Sequence, residues 1–98
     1  MAAQIDTNLN LNIAGADLHV DNIYVTYDRL DRSVITKVFR YEREDLIRLA
    51  EELLSNAVKK VFVESTGSYY FPFALTLESR GIEVYIFNAF KTKNPDID

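Results

Sequence analysis

Two short, uninterrupted apolar runs, at residues 61–63 and 84–87, constrain the fold of this 98-residue chain most strongly. A strand with one face in water alternates apolar and polar residues, so a continuous run indicates a strand covered on both faces, as in parallel α/β sheets. Apolar residues at helical spacing fill the segment between the runs. This pattern predicts two parallel strands joined by a right-handed helical crossover. The first strand ends in an acid, Glu64, which a short polar turn follows.

The segments before this unit predict three antiparallel strands and a helix. Alternating residues place the strands at 11–18, 23–27 and 33–40, with short polar turns between them. The helix follows, and Asn56 is its expected stop. Its expected apolar face consists of Leu46, Leu49, Ala50, Leu53 and Ala57, and its expected solvent side of Arg48, Glu51 and Glu52.

The predicted fold class is therefore α/β, with the order β-β-β-α-β-α-β in one mixed sheet, three antiparallel strands and then parallel strands. Residues 1–10 are expected to form a flexible arm, residues 11–90 the domain, and residues 91–98 a polar tail. The second helix is expected to begin near Ser68, a competent cap, and to end at Gly81.

Composition excludes several classes of function. The absence of cysteine excludes disulfides and thiolate metal sites, and a single histidine excludes a His-rich zinc site. The net charge of -4 argues against gripping nucleic acid by bulk electrostatics, but it is compatible with carboxylates that bind cations. No apolar stretch reaches the length of a membrane span and no signal peptide is recognisable, so the expectation is a soluble cytoplasmic domain without membrane contact.

Two acids, Asp17 and Glu64, end strands that this topology can make neighbours. Carboxylates a few Å apart repel each other unless a cation neutralises them, and the hard ions Mg²⁺ and Mn²⁺ prefer such oxygen ligands. A pair of these ions can clamp the oxygens of a phosphoryl transfer. On residue types alone, a plainer interpretation is favoured, in which Asp17 begins a turn and Glu64 interacts with the following helix start. His19 is expected to be a surface turn residue.

Weaker candidates surround the acids. Thr66 and Gly67 lie in a small polar turn whose backbone amides could face a phosphate, although such a turn more often only caps a helix. Lys91 and Lys93 could contact a nucleic-acid backbone or simply belong to a solvated tail. Four aromatic residues could stack on bases, but their helical spacing places at least half of them in the core: Tyr69, Tyr70, Phe71 and Phe73.

Two blocks of the sequence resemble a known family. The block AGADLHVDNIYVTYD is similar to the opening strand and turn, G-x-D-x-x-x-(D/E), of the DEDD-type insertion-sequence transposases. The block VFVESTGSYYFPFALTLESRGIEVYIFNA is similar to their E-(A/S)-T-G-x-Y-x-x-P segment, its helix and the G-I-x-V-x-x-x-N strand. These transposases form the insertion-sequence one-hundred-and-ten family, whose catalytic domain has the RuvC-like ribonuclease H fold.

The resemblance implies roles for the two acids. Asp17 matches the family's first catalytic acid and Glu64 its second; four acids there hold divalent metal, Mg²⁺ or Mn²⁺, for DNA cleavage and rejoining. The last two belong to a later K-T-D-x-x-D segment, which the residues KTKNPDID do not match, so Asp96 and Asp98 are not assigned. The resemblance thus implies a transposase domain incomplete at its C-terminus, with weak metal binding and little or no recombination activity alone. Its implied partners are DNA and a structured guide RNA.

Two other interpretations stay open. One is a non-enzymatic ribonuclease H-like interaction module, in which a homodimer covers apolar surface that an incomplete fold exposes. The other is an unrelated metal-dependent nuclease of ribonuclease H type that is complete in itself. An in-frame K-T-D-x-x-D segment encoded after Asp98 would distinguish the transposase from both.

Overall fold

The computed structural model describes residues 12–65 and 70–88, without the side chains of Ser65 and Asn88. These residues confirm the predicted order β-β-β-α-β-α-β and the α/β class. Neither described helix is long and apolar enough to cross a membrane. The strands are Ile13–Leu18 (β1), Asn22–Asp28 (β2), Val34–Arg40 (β3), Lys60–Ser65 (β4) and Glu83–Asn88 (β5), and the helices are Arg43–Ser55 (α1) and Tyr70–Glu78 (α2).

The five strands form one mixed sheet in the order β3-β2-β1-β4-β5, with β1 at its centre. β2 is antiparallel to both β1 and β3, which confirms the predicted meander. β4 is parallel to both β1 and β5, which confirms the predicted crossover. Because β1 and β4 run in the same direction, their carboxyl ends meet at the same edge of the sheet.

Both helices pack on one face of the sheet. The strand residues that point to that face alternate with exposed ones, as in Ala14 and Ala16 on either side of Gly15. The largest fully buried side chains join strands and helices in one core: Tyr27, Phe73, Ile23, Leu49, Leu53, Leu77 and Ile82. Burying each large aliphatic side chain stabilises the fold by about 1.5–3 kcal/mol, so this face anchors the whole sheet.

The other face of the sheet carries no helix within the described residues. Side chains on it are exposed, including Tyr24 at 43%, Tyr85 at 42% and Phe87 at 50%. Ile86, on the helix side of β5, is also 38% exposed. The expectation that residues 61–63 and 84–87 would be covered on both faces is therefore wrong for the described part of the chain. No described helix covers the face that carries Phe62, Tyr85 and Phe87, and β5 also lies at the edge of the sheet.

Helix α1 differs from its prediction at two residues. It ends at Ser55 with Asn56 as its cap, as expected, but Ala57 lies beyond the helix in a left-handed conformation (φ 63°). Glu52 is not on the solvent side, because its carboxylate accepts a hydrogen bond from the buried Tyr27 hydroxyl and pairs with Lys37 Nζ at 3.3 Å. The Tyr27 hydrogen bond, followed by the Lys37 ammonium, holds the pKa of Glu52 below its usual range, although burial opposes this shift.

Helix α2 is held at its beginning by the Tyr41 hydroxyl, which accepts a hydrogen bond from the Phe73 backbone N–H at 3.2 Å. Pro72 lies in the first described turn, where its missing N–H costs least. The predicted apolar face, including Phe73, Ala74 and Leu77, is confirmed. The expected start at Ser68 lies outside the described residues. After the helix, Gly81 adopts a φ of 89°, which only glycine adopts without strain.

Candidate metal site

Asp17 and Glu64 lie side by side at the carboxyl ends of the two central parallel strands. They are direct register partners between β1 and β4. Both are exposed and alternate with buried neighbours, Ala16 and Val63, so both carboxylates project from the open face. Adjacent strands are about 4.8 Å apart, which brings the two side chains within reach of one ion. The predicted neighbourhood of the two acids is thus present, and their role as metal ligands stays a prediction.

The acids stand at one end of a shallow depression in the open face. Its volume is about 460 Å³, and Gly15, Thr26 and Phe62 form its lining next to the acids. A Cβ atom on Gly15 would meet nothing within 4 Å, so the glycine leaves this surface open. A neighbouring group can therefore approach the acids from the middle of the sheet.

His19 contacts the first acid, which residue types alone did not predict. Its Nε2 lies 3.2 Å from Asp17 Oδ2, and its ring packs edge-on against Tyr24 with centroids 5.4 Å apart. Both side chains of the pair remain more than half exposed, at 54% for His19 and 59% for Asp17. His19 follows Asp17 by two residues, and side chains two residues apart at the end of a strand point to the same face of the sheet. This spacing could therefore have indicated the contact. His19 therefore orients the Asp17 carboxylate without burying it.

An aromatic cluster borders the second acid. Phe87 is the register partner of Glu64 on β5, and Phe62 precedes Glu64 by two residues on β4. The Phe62 ring stacks on Tyr85 with centroids 5.0 Å apart and lies 5.8 Å from the Phe87 ring. The acids therefore have a hydrogen-bonding neighbour on the β2 side and an apolar surface on the β5 side.

The donor set fits a hard, partly hydrated cation. Mg²⁺ commonly binds through one or two carboxylates, keeps several waters and takes further ligands from phosphate oxygens. Asp17 and Glu64 supply two such carboxylates on a rigid pair of strands. Within residues 12–65 and 70–88, no cluster of three or more His, Cys, Asp or Glu side chains is placed to hold a metal ion. The described acids can therefore provide part of a coordination shell, not a closed one.

The weaker candidates from the sequence cannot be placed. Thr66 and Gly67 fall between β4 and α2, outside the described residues, and so do Lys91 and Lys93. Among the four aromatic residues, Phe73 is fully buried and Phe71 is 62% exposed, so the core expectation is confirmed for Phe73.

Comparisons with known proteins add no assignment. A scan against protein-family models found no match, and a search of curated proteins found no significant match. Function must therefore be argued from the sequence blocks and from the geometry of the two acids.

Proposed function

We propose that this chain contains the N-terminal part of a ribonuclease H-like (RuvC-like) catalytic domain from a DEDD-type DNA transposase. In this proposal Asp17 and Glu64 are the first two metal-binding acids of a DNA strand cleavage and rejoining site. The observation that carries the proposal is the register pairing of these acids at the carboxyl ends of parallel strands, on a face left open. The mixed sheet, with its antiparallel strands followed by parallel ones, agrees with the fold that the family resemblance implies.

The proposed chemistry needs rigid carboxylates more than it needs a deep pocket. Bound Mg²⁺ or Mn²⁺ would supply charge neutralisation and alignment of the phosphoryl oxygens. Asp17 and Glu64 would hold the ion from neighbouring strands, whose hydrogen-bonded backbones fix the spacing of the two side chains. His19, hydrogen-bonded to Asp17 Oδ2, would keep one carboxylate oxygen oriented.

The proposal also predicts that the two acids alone are insufficient. The family resemblance implies four acids, and the described residues place no third one at the site. We therefore expect weak metal binding and little or no cleavage of DNA by this chain alone. DNA and a structured guide RNA are proposed partners of the complete site. The net charge of -4 means that residues outside these 98, or bound cations, must offset repulsion of the nucleic-acid backbone.

Mn²⁺ titration followed by backbone NMR tests the metal site. Paramagnetic Mn²⁺ broadens nearby amide signals, so substoichiometric ion should broaden residues around Asp17 and Glu64 first. Each of the variants Asp17→Asn and Glu64→Gln should weaken binding about tenfold or more, because each removes one charged oxygen ligand.

The matched control is Asp28→Asn. Asp28 is an exposed acid on the neighbouring strand β2, at the end of the strand remote from Asp17. This variant should leave the Mn²⁺ response unchanged. Broadening centred on other residues, or unaffected by the Asp17 and Glu64 variants, would refute the proposed site.

A non-enzymatic interaction module is the second candidate. The observation that favours it is the aromatic cluster on the open face, in which the half-buried Phe62 packs against the exposed Tyr85 and Phe87. The metal titration separates the two functions, because a pure interaction module requires no ion at Asp17 and Glu64.

A further inference from the structure

Among the described residues, β5 forms one edge of the sheet, and the backbone groups on its outer side face no other strand. Glu83 donates its backbone N–H to the Lys59 carbonyl at 2.9 Å and is the register partner of Lys60, so its N–H and C=O point toward β4. Successive residues of a parallel strand direct these groups to alternate sides. The residues of β5 whose N–H and C=O point away from β4 are Val84, Ile86 and Asn88. No described strand pairs with them.

After Glu83, the side chains of β5 lack the features that usually prevent strands from associating. Exposed edges are commonly protected by charged residues, especially lysine, or by proline. The opposite edge strand, β3, follows this rule with Lys37 and Arg40. Residues 84–88 contain neither charge nor proline, and Tyr85, Ile86 and Phe87 are 38–50% exposed. The two edges of the sheet are therefore chemically different, and only the β5 edge suits another strand.

We infer that β5 pairs antiparallel with β5 of a second copy of this chain, around a two-fold axis that is perpendicular to the sheet and passes midway between the two Ile86 residues. This register places Ile86 opposite Ile86 of the other copy, and Val84 opposite its Asn88. These positions are the outward-facing ones, so the backbone groups of all three residues are satisfied. The helices of both copies stay on the same side of one ten-stranded sheet. The inference does not depend on metal binding.

Side-chain complementarity identifies a second copy as the occupant. The register places Tyr85 opposite Phe87 of the other copy, twice, and such aromatic cross-strand pairs stabilise antiparallel sheets. Glu83 meets no acid of the other β5, and its carboxylate accepts a hydrogen bond from the Tyr85 hydroxyl of its own strand at 2.6 Å. If the two strands were shifted so that the two-fold axis lay nearer to Glu83, they would form fewer hydrogen bonds along the edge or would bring the two Glu83 side chains together. The sequence of β5 therefore complements itself in one register best.

The net charge predicts how this association responds to salt. Each copy carries a charge of -4, so two copies repel each other at long range, and salt screens that repulsion. An interface built on apolar contacts and backbone hydrogen bonds should therefore strengthen at higher ionic strength.

Disulfide trapping of single-cysteine variants tests the register, because the natural chain contains no cysteine. In Ile86→Cys the two sulfur-bearing residues would face each other with Cα atoms about 5.5 Å apart, within disulfide range. Under a thiol–disulfide buffer, Ile86→Cys should form dimers at least about tenfold faster than the control Val38→Cys on the opposite edge. Val38 is also an exposed aliphatic residue, at 56%. Circular dichroism of both reduced variants verifies folding.

Sedimentation velocity and amide exchange of the natural sequence complete the test. The dimer fraction should rise between about 5 and 500 µM and rise further with salt, while exchange at Val84 and Ile86 slows as concentration increases. A strict monomer over this range would overturn the inference. So would concentration-independent protection of these amides, since a segment of the same chain would then cover the edge. Fastest trapping at Val84→Cys or Tyr85→Cys would overturn the register.

Discussion

Neutralising Glu64 should stabilise the fold, because two like charges stand on adjacent strands. With carboxylates about 5 Å apart, Coulomb repulsion is about 0.8 kcal/mol at the dielectric constant of water and about 3 kcal/mol at an effective value of 20. Asp17 is 59% exposed, so the lower figure applies. We therefore expect Glu64→Gln to raise the free energy of unfolding by about 0.5–1 kcal/mol at low salt.

A double-mutant cycle with Asp17→Asn isolates the repulsion from other effects of each substitution. The coupling energy between the two substitutions should be about 0.8 kcal/mol. Either substitution alone removes the repulsion, so the second one has no repulsion left to remove. Urea unfolding at low and high salt supplies the free energies, and screening should shrink the coupling at high salt.

Divalent metal should reverse the ranking of the variants. In the proposed site, added Mg²⁺ would bind the folded protein through both acids, so it should stabilise the natural sequence most. For a dissociation constant of about 1 mM, about 10 mM Mg²⁺ would add about 1.4 kcal/mol. A coupling energy near zero with no salt dependence, or equal Mg²⁺ stabilisation of the double variant, would refute the interpretation of these acids as a charged pair that attracts cations.

Two further predictions concern the buried hydroxyl and the activity of the isolated chain. Tyr27→Phe should lower the free energy of unfolding by about 1–2 kcal/mol at neutral pH, whereas Tyr24→Phe on the same strand should change it by less than about 0.5 kcal/mol. The pKa of Glu52 is lower in the folded state than in the unfolded state, so the ionised carboxylate stabilises the fold above its unfolded pKa, and this stabilisation disappears as the pH falls through the lowered value. Urea unfolding should therefore show that the loss of stability caused by Tyr27→Phe becomes smaller over that range of acidic pH. Supercoiled or branched DNA incubated with the chain and Mg²⁺ or Mn²⁺ should stay uncut, and robust cleavage that Asp17→Asn abolishes would contradict the prediction that two acids are insufficient.

The position of the candidate site follows from simple sequence patterns. Alternation in residues 11–18 indicates a strand that ends near Asp17, and the apolar run before Glu64 indicates a second one. A right-handed crossover and short turns leave few sheet topologies, and the observed one makes the two acids register partners. The ends of the two strands are local properties that the pattern of residues indicates, whereas the pairing of β1 with β4 was one of the few arrangements that the connectivity allowed.

Other features depend on contacts that a periodic pattern does not contain. A helical wheel places Glu52 beside the polar side of α1, but it cannot show that the Tyr27 hydroxyl reaches that carboxylate from β2. The apolar run at residues 84–87 indicates a strand, but it does not show whether other parts of the protein cover both faces of that strand. His19 lies in the exposed turn after β1, as predicted, but a turn assignment does not show that its ring reaches Asp17. Long-range partners, more than local structure, limited the prediction.

Anomalous diffraction from crystals soaked in Mn²⁺ would locate directly the divalent ion that we propose Asp17 and Glu64 hold together. We expect one anomalous peak between the two side chains, within about 2.3 Å of an oxygen of each carboxylate, that disappears in Glu64→Gln crystals. If no peak lies at this position, and well-ordered carboxylates remain apart in saturating Mn²⁺, the two acids do not form a metal site.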